Sequence, residues 1–272
     1  MRMNKNQKSI KPGKGVRTFF IYFTLVLFII ITAISVKALL LIEQSLFDGK
    51  YINIAISNNK KITEIIGFNA EKNTVSHLYI KNSKLIRHDL LDKLGILIDA
   101  RIDYYSDVTN RDVLKLLTNA ATEKDNIQTD LTIFDLARLW IIAKNSSGNK
   151  TIKKEISLPL PDYEIDKNIR SLFKNDAITS RSLSIEIINA ASVPGAGKKL
   201  ERALTNEGFN IISVSTKKEP ENISKIRYTS ESSYVVGKLK QILKYPAVKS
   251  NEKSIADVVI IIGEDKKKFF TN

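Results

Sequence analysis

The chain has 272 residues, 43 Lys+Arg against 29 Asp+Glu, no Cys and a formal net charge of +14. Without Cys there is no disulfide framework, no Cys-bearing zinc site, no iron–sulfur cluster and no thiol nucleophile. At 43% hydrophobic the chain can bury a core, and its length allows one membrane segment with one or two small domains.

The charge is unevenly placed. Residues 1–17 hold Arg2, Lys5, Lys8, Lys11, Lys14 and Arg17 and no acid, whereas residues 37–181 carry 22 basic and 19 acidic residues and residues 182–272 carry 15 and 10. Lys outnumbers Arg 33 to 10, so the residue best suited to bidentate phosphate or guanine contacts is scarce. No folded part has a dense basic stripe, and nucleic acid is not expected as a partner.

From Phe19 to Val36 runs FFIYFTLVLFIIITAISV, 18 residues without a charge, followed by Lys37 and Ala38-Leu39-Leu40-Leu41-Ile42. About 20 apolar residues span a bilayer as a helix, and Phe19, Phe20, Tyr22 and Phe23 suit the interface beside the basic tail. The reading is a transmembrane helix over 18–42 in the bilayer, a basic cytoplasmic tail over 1–17, and an extracytoplasmic body after about residue 43. Cleavage after Ala38 is the alternative, but the apolar run exceeds the 7–15 residues usual in a signal peptide.

A small α+β domain is expected over 48–158. Tyr51–Ser57, Ile62–Phe68 and Thr74–Ile80 read as an antiparallel meander, separated by Asn- and Lys-rich turns. Helices are expected at Lys84–Leu94, Arg111–Ala121 and Ile133–Ala143, with a closing strand at Thr151–Leu158. Thr132 and Asp135 form a capping-box pattern at the start of the third helix. Its Phe134, Leu136, Ala137, Leu139, Trp140 and Ile141 are expected as a buried stripe. Pro159 and Pro161 open a polar stretch, read as a linker over 159–181 with a short helix allowed at Ile169–Phe173.

Residues 182–272 read as a compact α/β domain. Leu183–Asn189 is a strand, Ala190–Gly197 a tight loop, and Lys198–Glu207 a helix stopped by Gly208. Phe209–Ser215 and Lys225–Tyr228 are strands and Ser230–Leu243 a helix. Asp257–Gly263 is an almost wholly apolar strand suited to the centre of a parallel sheet.

The segments IEIINAASVPGAGKKL, GFNIISV, KIRY, YVVGKLKQIL and ADVVIIIGED, in this order, resemble the LytR C-terminal domain family. That resemblance implies a non-enzymatic module of bacterial envelope proteins. FNAEKNTVSHLYI and TDLTIFDLARLW are faintly similar to the LytR–CpsA–Psr family, which transfers lipid-linked phosphoglycans to the cell wall through clustered Arg and Asp residues. The family's Arg-Asp pair after the third strand is replaced here by Lys81-Asn82-Ser83-Lys84. The candidates for a remnant catalytic site are Arg87, Asp89, Arg101 and Asp103, with Arg111 nearby in sequence. Members of an i,i+2 pair share a face only in a strand.

The PGAGKK loop fails the phosphate-loop pattern, because Ser192 stands at the first Gly position and Lys199 at the Ser/Thr position. It still joins a strand to a helix whose free N–H groups suit an anion, so Asn189, Ser192, Gly195, Gly197 and Lys198 are candidate ligand-binding residues. His77 and His88 are too few and too separate for a metal site. The expected function is a single-pass membrane protein of the cell envelope, non-enzymatic and without a cofactor. It would display the C-terminal domain to peptidoglycan, anionic wall polymer or another envelope protein. A divergent phosphotransferase that attaches phosphoglycans to the wall is the alternative.

Overall fold

The computed structural model describes residues 14–81, 84–86, 89–105, 112–123, 125–146, 150–181, 183–229, 233–252 and 254–271. The chain divides into two compact units, Met1–Gln44 and Ser45–Asn272.

The first unit is helix α1, Lys14–Glu43. Its Thr18–Glu43 stretch is long and apolar enough to cross a membrane, and none of its most apolar stretch is buried by protein. At 1.5 Å per residue these 26 residues reach about 39 Å, beyond the ~30 Å hydrocarbon core of a bilayer. The hydroxyls of Thr24, Thr32 and Ser35 each donate to the carbonyl four residues back at 2.8 Å. These three hydroxyls are therefore satisfied within the helix itself, as the interior of a bilayer would require.

The second unit is built on two mixed sheets. Strands β1 (Tyr51–Asn58), β2 (Lys61–Asn69) and β3 (Thr74–Lys81) form the expected antiparallel meander. Two strands that periodicity did not reveal, β4 (Ala100–Tyr104) and β5 (Ile127–Thr129), extend one edge, and β6 (Thr151–Ser157) closes the other. The order is β5-β4-β1-β2-β3-β6, with β4 parallel to β1 and β6 parallel to β3.

One face of this sheet, carrying Ile52, Ile54, Ile56, Ile66 and Phe68, packs under helices α2 (Val113–Thr122) and α3 (Ile133–Asn145). The predicted capping box of α3 is present, with Asp135 serving in place of the usual Glu. Its predicted stripe is not a single face. Leu136, Leu139, Ile142 and Ala143 are buried, while Phe134, Ala137 and Ile141 point outward and Trp140 is half-buried. Of the expected helix at Lys84–Leu94, residues 84–86 are not helical, 87 and 88 lie outside the described residues, and a π-helical turn occupies Leu90–Leu94. The Leu85 carbonyl is taken by Ile62 N–H, so the chain there runs along the sheet.

Residues 159–181, expected as a linker, instead hold α4 (Asp162–Phe173) and α5 (Asp176–Thr179). Ile165, Ile169, Leu172 and Phe173 follow helical spacing and are buried with Leu78, Leu90, Leu94 and Ile96 over the other face of the first sheet. Polar residues between those four positions conceal the stripe from a composition scan.

The second sheet contains β7 (Ser184–Asn189), β8 (Asn210–Thr216), β9 (Lys225–Tyr228), β10 (Ala247–Lys249) and β11 (Val258–Ile262). Its order is β10-β9-β11-β7-β8. β11 is central and buried at all five positions, as its composition requires, but it is parallel to β7 and antiparallel to β9. Helices α6 (Ala196–Glu207) and α7 (Ser233–Leu243) share its core, which also takes in Leu91 and Leu97 from the first half of the chain. A short helix, α8 (Lys267–Phe270), inserts Phe270 into the same core. Gly208 caps α6 at φ 100°, a conformation open to Gly at little cost.

Phe173 is 0% exposed, and a Cβ on Gly67 would lie 2.8 Å from its ring. Phe173→Ala is expected to cost about 3–5 kcal/mol in urea unfolding of the detergent-solubilised chain. A loss under about 0.5 kcal/mol, the usual range for surface positions, would contradict a packed 159–181 segment.

Candidate functional site

The carboxylate and guanidinium candidates of the middle region are only partly brought together. Arg87 and Arg111 lie outside the described residues. Asp89 accepts from Ile86 N–H at 2.8 Å and pairs with Lys93 at 2.8 Å, so it fixes the approach to the π-helical turn. Arg101 and Asp103 do share a face, being alternate residues of β4. There Arg101 makes a two-pronged bond to Asp130, at 2.9 and 3.1 Å, and lies 3.7 Å from Asp103. Asp103 also takes the Ser57 hydroxyl. The side-chain bond to Asp130 is the main cause that raises the Arg101 pKa. A guanidinium held by two acids has little left with which to grip a pyrophosphate.

The loop before α6 is similarly occupied. The Asn189 amide donates to the Val193 carbonyl at 2.8 Å, while its oxygen accepts from Ala191 N–H at 3.2 Å. Ser192 N–H donates to the Glu264 carboxylate at 2.5 Å, and this loop lowers the Glu264 pKa. Lys198 pairs with Glu201 on its own helix. Gly195 adopts φ 78° with open space around it, and Gly197 lies where a Cβ would be 2.8 Å from Val214. One requirement is conformational and the other is close packing. A protein carboxylate thus takes the Ser192 N–H, one of the donors offered to an anion, and one of the two neighbouring ammonium groups is paired along α6.

A polar junction that sequence reasoning did not single out lies between the two sheets. Lys238 on α7 is 3% exposed, and its ammonium donates to Asp99 at 2.8 Å and to the Tyr51 carbonyl at 3.0 Å. Asp48 lies 3.7 Å away. Burial by itself would lower the Lys238 pKa, but Asp99 and Asp48 hold it above its ordinary value. Glu207, at the end of α6, accepts from Leu97 N–H at 3.1 Å. Burial, reinforced by Asp99 and opposed by Lys238, pushes its carboxyl up to about 8. The Tyr51 hydroxyl and Asn53 Oδ1 are buried without a protein hydrogen-bond partner. Burial is the main cause that holds the Tyr51 pKa well above its usual range.

Around this junction Asn206 donates to the Gly95 carbonyl and to Asp166, both at 2.9 Å. Arg202 bonds Asp166 at 2.8 Å and the Asp92 carbonyl at 3.1 Å, and Lys199 pairs with Asp92 at 2.6 Å. Beside them opens a cavity of about 580 Å³, lined mainly by Leu, Ile, Tyr245 and Phe269, with Asp99, Asp130, Lys244 and Lys266 among its polar groups. The junction leaves no local pattern in the sequence, because most of its partners lie more than 100 residues apart.

Elsewhere on the first sheet the buried His77 Nδ1 meets Glu64, and its ring stacks on Tyr79 with centroids 5.7 Å apart. Among the described residues no group of three His, Cys, Asp or Glu side chains is placed to hold a metal.

Residues 182–265 match the family model described as LytR cell envelope-related transcriptional attenuator. No curated protein and no solved structure matches the chain.

The Glu207 carboxyl binds its proton more tightly in the folded state than the ordinary 4.5 of the unfolded chain. Between pH 4.5 and about 8 the native state therefore holds the extra proton, and stability falls as pH rises through that window. Glu207→Gln keeps an acceptor for Leu97 N–H and is expected to flatten this slope while raising the urea midpoint above pH 8. An unchanged slope would mean that Glu207 does not titrate across this range.

Proposed function

We propose, from a C-terminal third that matches the LytR envelope family model, that this chain is a membrane-anchored cell-envelope protein that works by binding rather than catalysis. The observation that carries this reading is the placement of residues 182–265 behind the apolar Thr18–Glu43 helix in one chain. The basic residues of 1–17 favour a cytoplasmic N-terminus under the positive-inside rule, which puts Ser45–Asn272 outside the membrane. A cleaved signal sequence would also deliver that unit to the outside, but would leave it untethered.

Binding is favoured over transfer by how the candidate catalytic groups are used. Arg101 is tied to Asp130 and Asp103, and Asp89 is tied to the backbone and Lys93. The ligands this reading calls for are peptidoglycan, anionic wall polymer or another envelope protein, presented to the second sheet and its flanking cavity. It does not require a cofactor.

The absence of Cys makes topology directly testable. In intact cells, Lys218→Cys is expected to react with a membrane-impermeant maleimide, whereas Lys5→Cys should react only after lysis. The reverse pattern would overturn the topology. In the same strains the chain is expected to sediment with purified walls. Transfer or hydrolysis of a polyprenyl-pyrophosphate-linked glycan by the purified chain would overturn the non-enzymatic reading in favour of the phosphotransferase.

A further inference from the structure

The outward face of α3 is apolar where a solvated helix face would be polar. Ile133 and Ile141 are each 54% exposed and Phe134 is 37% exposed. Ala137 is exposed and Trp140 half-buried between them. At 3.6 residues per turn these five positions share one side, opposite Leu136, Leu139, Ile142 and Ala143. The only acid of α3, Asp135, is turned inward and 0% exposed. Both of its basic residues lie with the aromatic groups. The Arg138 guanidinium is 5.3 Å from the Phe134 ring, and the Lys144 ammonium is 5.0 Å from the Trp140 ring. Aromatic and aliphatic side chains flanked by cations form the composition of helices that lie in a lipid interface.

What covers this face follows from how α3 is fastened to the chain. Asp135 accepts the Ser45 hydroxyl, Leu46 N–H at 3.3 Å and Phe47 N–H at 3.2 Å. Arg138 donates to the Phe47 carbonyl at 3.0 Å and lies 4.5 Å from the Phe47 ring. Ser45 is two residues beyond Glu43, the last residue of α1. Two residues of extended chain span at most about 7 Å. A membrane surface at the end of α1 therefore lies close to the first turn of α3, by covalent reach alone.

We propose that α3 is an interfacial helix, with Ile133, Phe134 and Ile141 set among the headgroups and upper acyl chains of the leaflet where α1 ends. The exposed Lys144 then lies on the side of the anionic lipid phosphates, while Arg138 holds the Phe47 carbonyl at the edge of that face. The proposal rests on reading α1 as an uncleaved membrane anchor. It adds a second attachment that holds Ser45–Asn272 at one orientation above the bilayer, where a single tether would leave it free to tumble. Burial of this face also explains why evident surface positions of the helix carry large apolar residues.

Trp140 is the one Trp of the chain, so α3 carries its own reporter. The full chain, reconstituted into vesicles of phosphatidylcholine and phosphatidylglycerol in equal parts, is tested with two quenchers. A doxyl lipid labelled near the headgroup is expected to remove most of the Trp140 emission, and aqueous iodide to remove little. The double variant Phe134→Ser with Ile141→Ser should reverse that ratio while floating with the vesicles as before. Both substitutions are at exposed positions, and where the pair fails to fold the wild-type quenching ratio alone decides. Strong iodide quenching with weak lipid quenching in the wild type, in protein that still floats after alkaline extraction, would overturn the interfacial helix and leave the anchor standing. Quenching by neither agent would overturn it in favour of a protein-covered face. Loss of the wild-type chain from the vesicles on alkaline extraction would overturn the anchor, and the proposal with it.

Discussion

The buried pair between Lys238 and Asp99 makes a single body out of two sheets. An ammonium removed from water is costly unless it is paired and fully hydrogen-bonded. Lys238 meets that condition only when α7 of the second sheet is seated against β1 and β4 of the first, where Asp99 and the Tyr51 carbonyl receive it. Separating the sheets would leave two charges half-buried and unpaired. The surrounding bonds reinforce the seat: Glu207 to Leu97, Asn206 to Gly95, and Arg202 to Asp166 and Asp92. Gln241 reaches from α7 to the Leu46 carbonyl, so the segment that leaves α1 is fastened from both sides, by α3 and by α7.

This joint changes what a LytR-type C-terminal segment means in the present chain. Residues 182–265 match the family model, yet their core includes Leu91 and Leu97. The segment is therefore not a bead on a tether. The 580 Å³ cavity between Leu90–Asp99 and α7–α8 exists because the two halves meet there. In the Asn189–Lys198 loop, the Asn189 side chain bonds within the loop and the Ser192 N–H is taken by Glu264.

Much of the architecture was legible where the physics is local. The charge-free run from Phe19, the alternating strands of the meander, the Thr132–Asp135 cap and the Gly208 stop each depend on residues within a few positions of one another. The α4 helix was concealed because Ile165, Ile169, Leu172 and Phe173 are separated by charged and polar residues and preceded by two prolines. β4 is held in place by its neighbours: flanked by β1 and β5, ARIDY needs only three inward residues to belong to the sheet. α3 shows the opposite failure. Its apolar content was read as one buried stripe, whereas it divides into a core face and an outward face, a distinction that requires knowing where the sheet lies. The polar junction was beyond reach because Lys238 and Asp99 are 139 residues apart.

Ser45–Asn272 folds as one compact unit rather than as two domains on a linker. Native-state hydrogen exchange of the full chain in lipid nanodiscs tests this most directly. In a single unit, amides of β1 and β11 open with the same free energy and the same denaturant dependence, and α4 is protected along with them. Two distinct opening free energies for the two sheets, with fast exchange through 159–181, would contradict it.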